Sequence, residues 1–115
     1  MSATTTTDMP GADASTFAAT LVETPGLEHT LTVTGEVTGD YRVQQVALVR
    51  AKHQENKHRL VLDIVATLGP VENPHPEFIR VIPLQYVEKP AAHRYTHVLI
   101  VNGSQHFSIT VEDVL

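Results

Sequence analysis

The chain has 115 residues, no cysteine and a formal net charge of −5 at pH 7, a length that suits one domain with one core. Without cysteine, disulfide staples and thiolate metal sites are excluded, which fits a reducing compartment. The acidic balance argues against general nucleic-acid binding, which needs a basic footprint, and no run approaches the ~18 apolar residues of a membrane helix.

The opening "MSATTTTDMPGADASTF" lacks the basic start and apolar stretch of a secretory leader, so a cytoplasmic location is expected. Residues 1–16 are mostly Thr, Ala, Ser, Asp, Gly and Pro, and read as a flexible N-terminal tail, with residues 17–115 forming a single β domain. From Phe17 on, β-branched residues alternate with polar ones or run in short blocks. Strands are expected at 16–22, 29–37, 42–53, 58–68, 77–87, 94–102 and 105–114, separated by Gly, Pro, Asn and Asp. Seven short strands and no helix suggest an antiparallel two-sheet sandwich of immunoglobulin-like type, with a small, partly closed barrel as the alternative. Pro83 cannot donate to a ladder, so its strand is expected at an edge or bulged.

Two hairpins give registers that can be checked. A four-residue loop at 54–57 pairs Ala51 with Leu60, Val49 with Leu62, Ala47 with Ile64 and Val43 with Leu68, an apolar inner face. The opposite face carries Val46, Leu48, Val61 and Val65, an exposed aliphatic stripe expected to bind a protein partner or a second copy of the chain. Leu48→Asp is then expected to weaken assembly and spare the fold. A two-residue loop at Gly103-Ser104 pairs Ile100 with Phe107 and Val98 with Ile109. His97, Leu99, Val101, His106 and Ser108 then share the other face.

Seven histidines raise the question of metal. His93 and His97 are four apart, about 13 Å in a strand, too far for one zinc ion. The 54–57 loop would instead set His53 opposite His58, and Lys52 opposite Arg59. The surrounding cations disfavour a metal. Lys52, His53, Lys57, His58 and Arg59 are therefore a candidate anion contact. Catalytic motifs are lacking, so no enzyme, cofactor or metal is expected. The Pro-rich loop 69–77 is a candidate crossover or binding loop, and Asn102-Gly103-Ser104, although a glycosylation sequon, is explained by a tight turn.

"VTGDYRVQQVALV", residues 37–49, resembles the Thr-Gly-x-Tyr loop and following strand of small bacterial domains related to chagasin-type protease inhibitors. That resemblance implies an immunoglobulin-like sandwich binding through loops at one end. The expected function is a non-enzymatic protein-binding or self-assembling β module. The alternatives are a protease-inhibitor-like loop binder and a ligand- or metal-binding domain in which His75, His97 and His106 converge.

Overall fold

A computed structural model describes residues 11–23, 29–39, 43–54, 56–68 and 80–114. They form an all-β domain with strands β1 (Gly11–Ala12), β2 (Ala18–Val22), β3 (Thr30–Gly39), β4 (Val43–Arg50), β5 (Arg59–Leu68), β6 (Arg80–Glu88), β7 (His97–Asn102) and β8 (Gln105–Val114). Each expected strand is present. Residues 11–16, assigned to the tail from composition, carry β1, paired to Val37 and Thr38, and a 3-10 turn capped by the Asp13 side chain on the Ser15 N–H. The rest of the expected tail, residues 1–10, and the whole loop at 69–77 lie outside the described residues.

The wholly antiparallel two-sheet arrangement is corrected. The strands make one curled, mixed sheet in the order β1-β3-β2-β8-β7-β5-β4, with β6 on the other side of β3. β2 runs parallel to β8 and β5 parallel to β7. Strand β8 joins the two halves: its first part, 105–110, pairs with β7 and its last part, 111–114, with β2. The result is a mixed half-barrel, nearer the partly closed barrel than the sandwich. Parallel neighbours need long connections, so hairpin signals alone do not reveal them.

Alternation builds the core. Leu21, Leu31, Val33 and Val37 from one half meet Leu60, Leu62, Val98 and Ile100 from the other, all essentially inaccessible to water. Gly35 lies under the ring of Phe17, where a Cβ would come 2.3 Å from the ring, and Phe17 packs edge-on against Phe107 at 5.2 Å.

The β7–β8 hairpin has the expected register, with Val98 opposite Ile109, Ile100 opposite Phe107 and a tight turn at Gly103 (φ 65°). Pro83 lies where expected, on β6, which among the described residues pairs only with β3.

The β4–β5 hairpin corrects the sequence reading. Val43 does pair with Leu68, but a β-bulge at Gln44 shifts the rest by one, so that Ala47 faces Val65, Leu48 faces Ile64 and Arg50 faces Leu62. Val43 and Leu48 have opposite parity, and the bulge lets both point inward, leaving Gln44 and Gln45 exposed. Leu48 is thus core, at 7% exposure, and Val46 packs partly against the core. Val49, at 44%, and Ala47 move to the outside.

Candidate functional site

The outer face of β4, β5 and β7 carries an aliphatic patch. Ladder pairing sets Ala47 beside Val65 and Val61 beside Leu99, with Val49 and Val101 flanking Asp63 from either side. Val65 is 49% exposed, while Val61, Leu99 and Val101 are half-buried. Of the four positions first assigned to this face, Val61 and Val65 are on it. Val46 and Leu48 are inside, because the bulge reverses their direction. Arg59, His97 and His106 stand at the rim: Arg59 pairs with His97 across β5–β7, and His106 with Val101 across β7–β8.

At one end of the half-barrel, edges β4 and β6 approach each other without a backbone ladder. Side chains join them. Arg50, at an inward position of β4, donates from Nη1 to Glu88 Oε1 of β6 at 2.9 Å and to the Tyr95 hydroxyl at 3.1 Å. Tyr86 donates to Glu88 Oε1 and Tyr95 to Oε2, each at 2.7 Å, and the Ala92 N–H also reaches Oε2 at 2.7 Å. The carboxylate thus accepts four hydrogen bonds, two on each oxygen.

The electrostatics follow from this geometry. Burial pushes the Glu88 carboxyl up, but the Ala92 N–H, both tyrosine hydroxyls and the Arg50 charge outweigh it and hold the group below its ordinary value. Burial, followed by the Glu88 hydrogen bond and charge, pushes the Tyr86 hydroxyl up to about 12. The same causes raise Tyr95. At the other end of the seam Arg80 donates to the Val43 carbonyl.

The β4–β5 tip is built differently from the expected four-residue loop. The Ala51 N–H donates to the Val61 carbonyl at 3.0 Å. Gln54 then acts as a substitute peptide: its NH2 donates to the Ala51 and Val61 carbonyls, and its Oε1 accepts the Val61 N–H. Asn56 bridges Arg59, and its Oδ1 accepts the His58 N–H at 2.8 Å. The expected oppositions of His53 with His58 and of Lys52 with Arg59 are therefore not formed. The His58 carbonyl is turned toward β7, accepting from the Thr96 and His97 N–H groups.

Of the candidate anion contact, Lys57 lines an open pocket of about 380 Å³, together with Arg50, Gln54, Asn56, His93 and Tyr95. Lys52, His53, His58 and Arg59 do not line it. His97 and His106 share the outer face at strand positions about four residues apart, roughly 13 Å. His75 lies outside the described residues, among which no three His, Asp or Glu side chains are grouped to hold a metal ion.

The seam network escaped the sequence reading because its members come from three distant segments. The pattern Tyr86-x-Glu88 at the end of an apolar strand face was the signal available. No family model, curated protein or solved structure matches this chain. The stretch 37–49, which resembles the chagasin-type loop, includes Asp40, Tyr41 and Arg42 outside the described residues. Among the described residues no helix is long and apolar enough to cross a membrane.

Proposed function

We propose that this chain is a non-enzymatic β module that works by protein association, with the outer face of β4, β5 and β7 docking a second copy of itself. The carrying observation is the aliphatic patch of Ala47, Val49, Val61, Val65, Leu99 and Val101 on a face turned to water. Such a face packs against another sheet face about 10 Å away, burying the apolar surface of both.

The charges favour a self-complementary contact. One acid, Asp63, lies inside the patch, and Arg59, His97 and His106 stand on the same face. Two copies related by a two-fold axis and offset along the strands bring the acid of each toward the basic rim of the other. A different protein partner would have to supply its own cation for Asp63.

Light scattering coupled to size-exclusion chromatography over a concentration series tests this. A dimer that dissociates in Val65→Lys supports the reading. A strictly monomeric chain at all concentrations overturns self-association, and capture of a different protein that Val65→Lys abolishes would reassign the same face to that partner.

A further inference from the structure

The positive charge of this acidic protein is concentrated at one end. Of its eight Lys and Arg residues, Arg50, Lys52, Lys57, Arg59, Lys89 and Arg94 fall in the segments 50–59 and 89–94. The fold brings those segments together, since Arg50 bonds Tyr95 and the intervening space is the 380 Å³ pocket. Arg94 is paired with Glu23 and Arg50 with Glu88, so among the described lining residues the cation that faces the concave site without a carboxylate partner is Lys57.

The pocket walls are made of donors. Arg50, Lys57 and His93 contribute nitrogen-bearing side chains and Asn56 an amide, while the Tyr95 hydroxyl, its proton given to Glu88, holds Arg50 in place. Several are held in place by bonds that do not use up their donors. Asn56 is oriented by accepting the His58 N–H on Oδ1, which leaves its NH2 end as the donor. Arg50 is fixed through Nη1 alone in the bonds to Glu88 and Tyr95, while a guanidinium offers five donors. His93 is set edge-on to Tyr95 at 6.0 Å, and Gln54 is tied to the backbone as a rigid wall.

No carboxylate lines the pocket among the described residues. Among the described residues the acid behind the pocket, Glu88, spends both oxygens on four donors and serves as the anchor that orders Arg50 and Tyr95; Glu55, between Gln54 and Asn56 in the chain, lies outside the described residues. The arrangement is that of a receptor for a compact anion: fixed donors converge from the end of β4, the β4–β5 tip and the 89–96 segment, with the acid behind the first layer.

We propose that this pocket binds a phosphate-class oxyanion, with Lys57, His93 and Asn56 as direct contacts and Arg50 and Tyr95 as the ordered floor. A doubly charged tetrahedral anion can accept from all three segments at once, which a planar monocarboxylate, having two oxygens, does less well. The pocket is separate from the outer face, so occupancy and association are independent readouts.

The experiment is an amide NMR titration of the full chain with inorganic phosphate at low ionic strength, beside sodium chloride at matched ionic strength and sodium acetate. Phosphate should produce saturable shifts confined to residues 50–57 and 92–96. Lys57→Ala should weaken that binding about tenfold or more, as expected for losing a bond to a charged group. Lys89→Ala, which removes an exposed charge outside the lining, should leave affinity within about twofold if pocket geometry rather than net charge carries binding. Equal shifts with chloride, or unchanged phosphate affinity in Lys57→Ala, would overturn the proposal. Acetate binding as tightly as phosphate would overturn the assignment of the anion class.

Discussion

The two halves of the curled sheet have the same kind of inner face and different outer faces. In the half built from β2, β3 and β6, the outward positions of β3 are Thr30, Thr32, Thr34, Glu36 and Thr38, with Thr20 beside Thr32 on β2. Its exposed valines, Val22, Val81 and Val87, are paired with Thr30, Thr38 and Thr32, and Val81 and Val87 are separated by Pro83 and Gln85. In the half built from β4, β5 and β7, the corresponding positions are mostly Ala, Val and Leu. Threonine satisfies the β-propensity of an exposed strand and still hydrates. Valine and leucine gain nothing from water. Since strand formation accounts equally well for both, the aliphatic half calls for a further reason, which the proposed self-association would supply.

The sharpest way to break this comparison uses two adjacent residues. Leu48→Asp puts a charge among Leu60, Leu62 and Ile64, and should cost about 3–5 kcal/mol, enough to unfold a marginal domain. Val49→Asp, on the outer side, should change stability by less than about 1 kcal/mol while abolishing association. Urea denaturation measures the first effect and light scattering the second. If Leu48→Asp stays folded, the bulge at Gln44 is misplaced and the two faces of β4 must be exchanged.

Gly35→Ala should cost about 1–3 kcal/mol, because the added methyl runs into the Phe17 ring, and a paired Phe17→Leu change should recover part of it. Thermal unfolding of the single and double variants checks this. Glu88→Gln removes the charge and turns one of the two acceptor oxygens into a donor facing donors, and should cost about 1–3 kcal/mol, read from the denaturation midpoint.

The seam also predicts a pH dependence. The Glu88 carboxyl is held below its ordinary value, so the folded state binds fewer protons there than the unfolded chain. Its contribution is present above the ordinary carboxylate range and is lost as pH falls through and below that range. Tyr86 is raised from 10.0 to about 12, the opposite sign, so its contribution is present below pH 10 and lost as pH rises from 10 to about 12. Denaturation midpoints followed in both windows should fall at each extreme, and the acid-side slope should flatten in Glu88→Gln.

The smallest effect is expected on the threonine half. Thr32→Lys should leave both association and stability within about 0.5 kcal/mol of the parent. Loss of association in that variant, with Val65→Lys unaffected, would move the docking surface to the other half.

The strand positions, the absence of α-helices among the described residues, the edge position of Pro83 and the whole β7–β8 register are legible in the sequence. Each rests on local alternation or on one tight turn, as at Gly103-Ser104. Alternation also identified Leu60, Leu62 and Ile64 as inward and Val61 and Val65 as outward. It failed one strand earlier. A single extra residue at Gln44 inverts every later position of β4, and the adjacent pair Gln44-Gln45 between apolar residues was the one visible trace of it.

What tertiary structure alone decided is everything that joins segments far apart in the chain. The parallel pairings of β2 with β8 and β5 with β7, and the curling that brings β4 to β6, depend on how apolar faces are shared across the whole domain. So does the seam of Arg50, Tyr86, Glu88 and Tyr95, together with the pocket beside it. Local sequence sets which way a side chain can point. Only the closed core determines which distant side chain it meets, because burial energy is collected over many contacts at once and carries no record of sequence order.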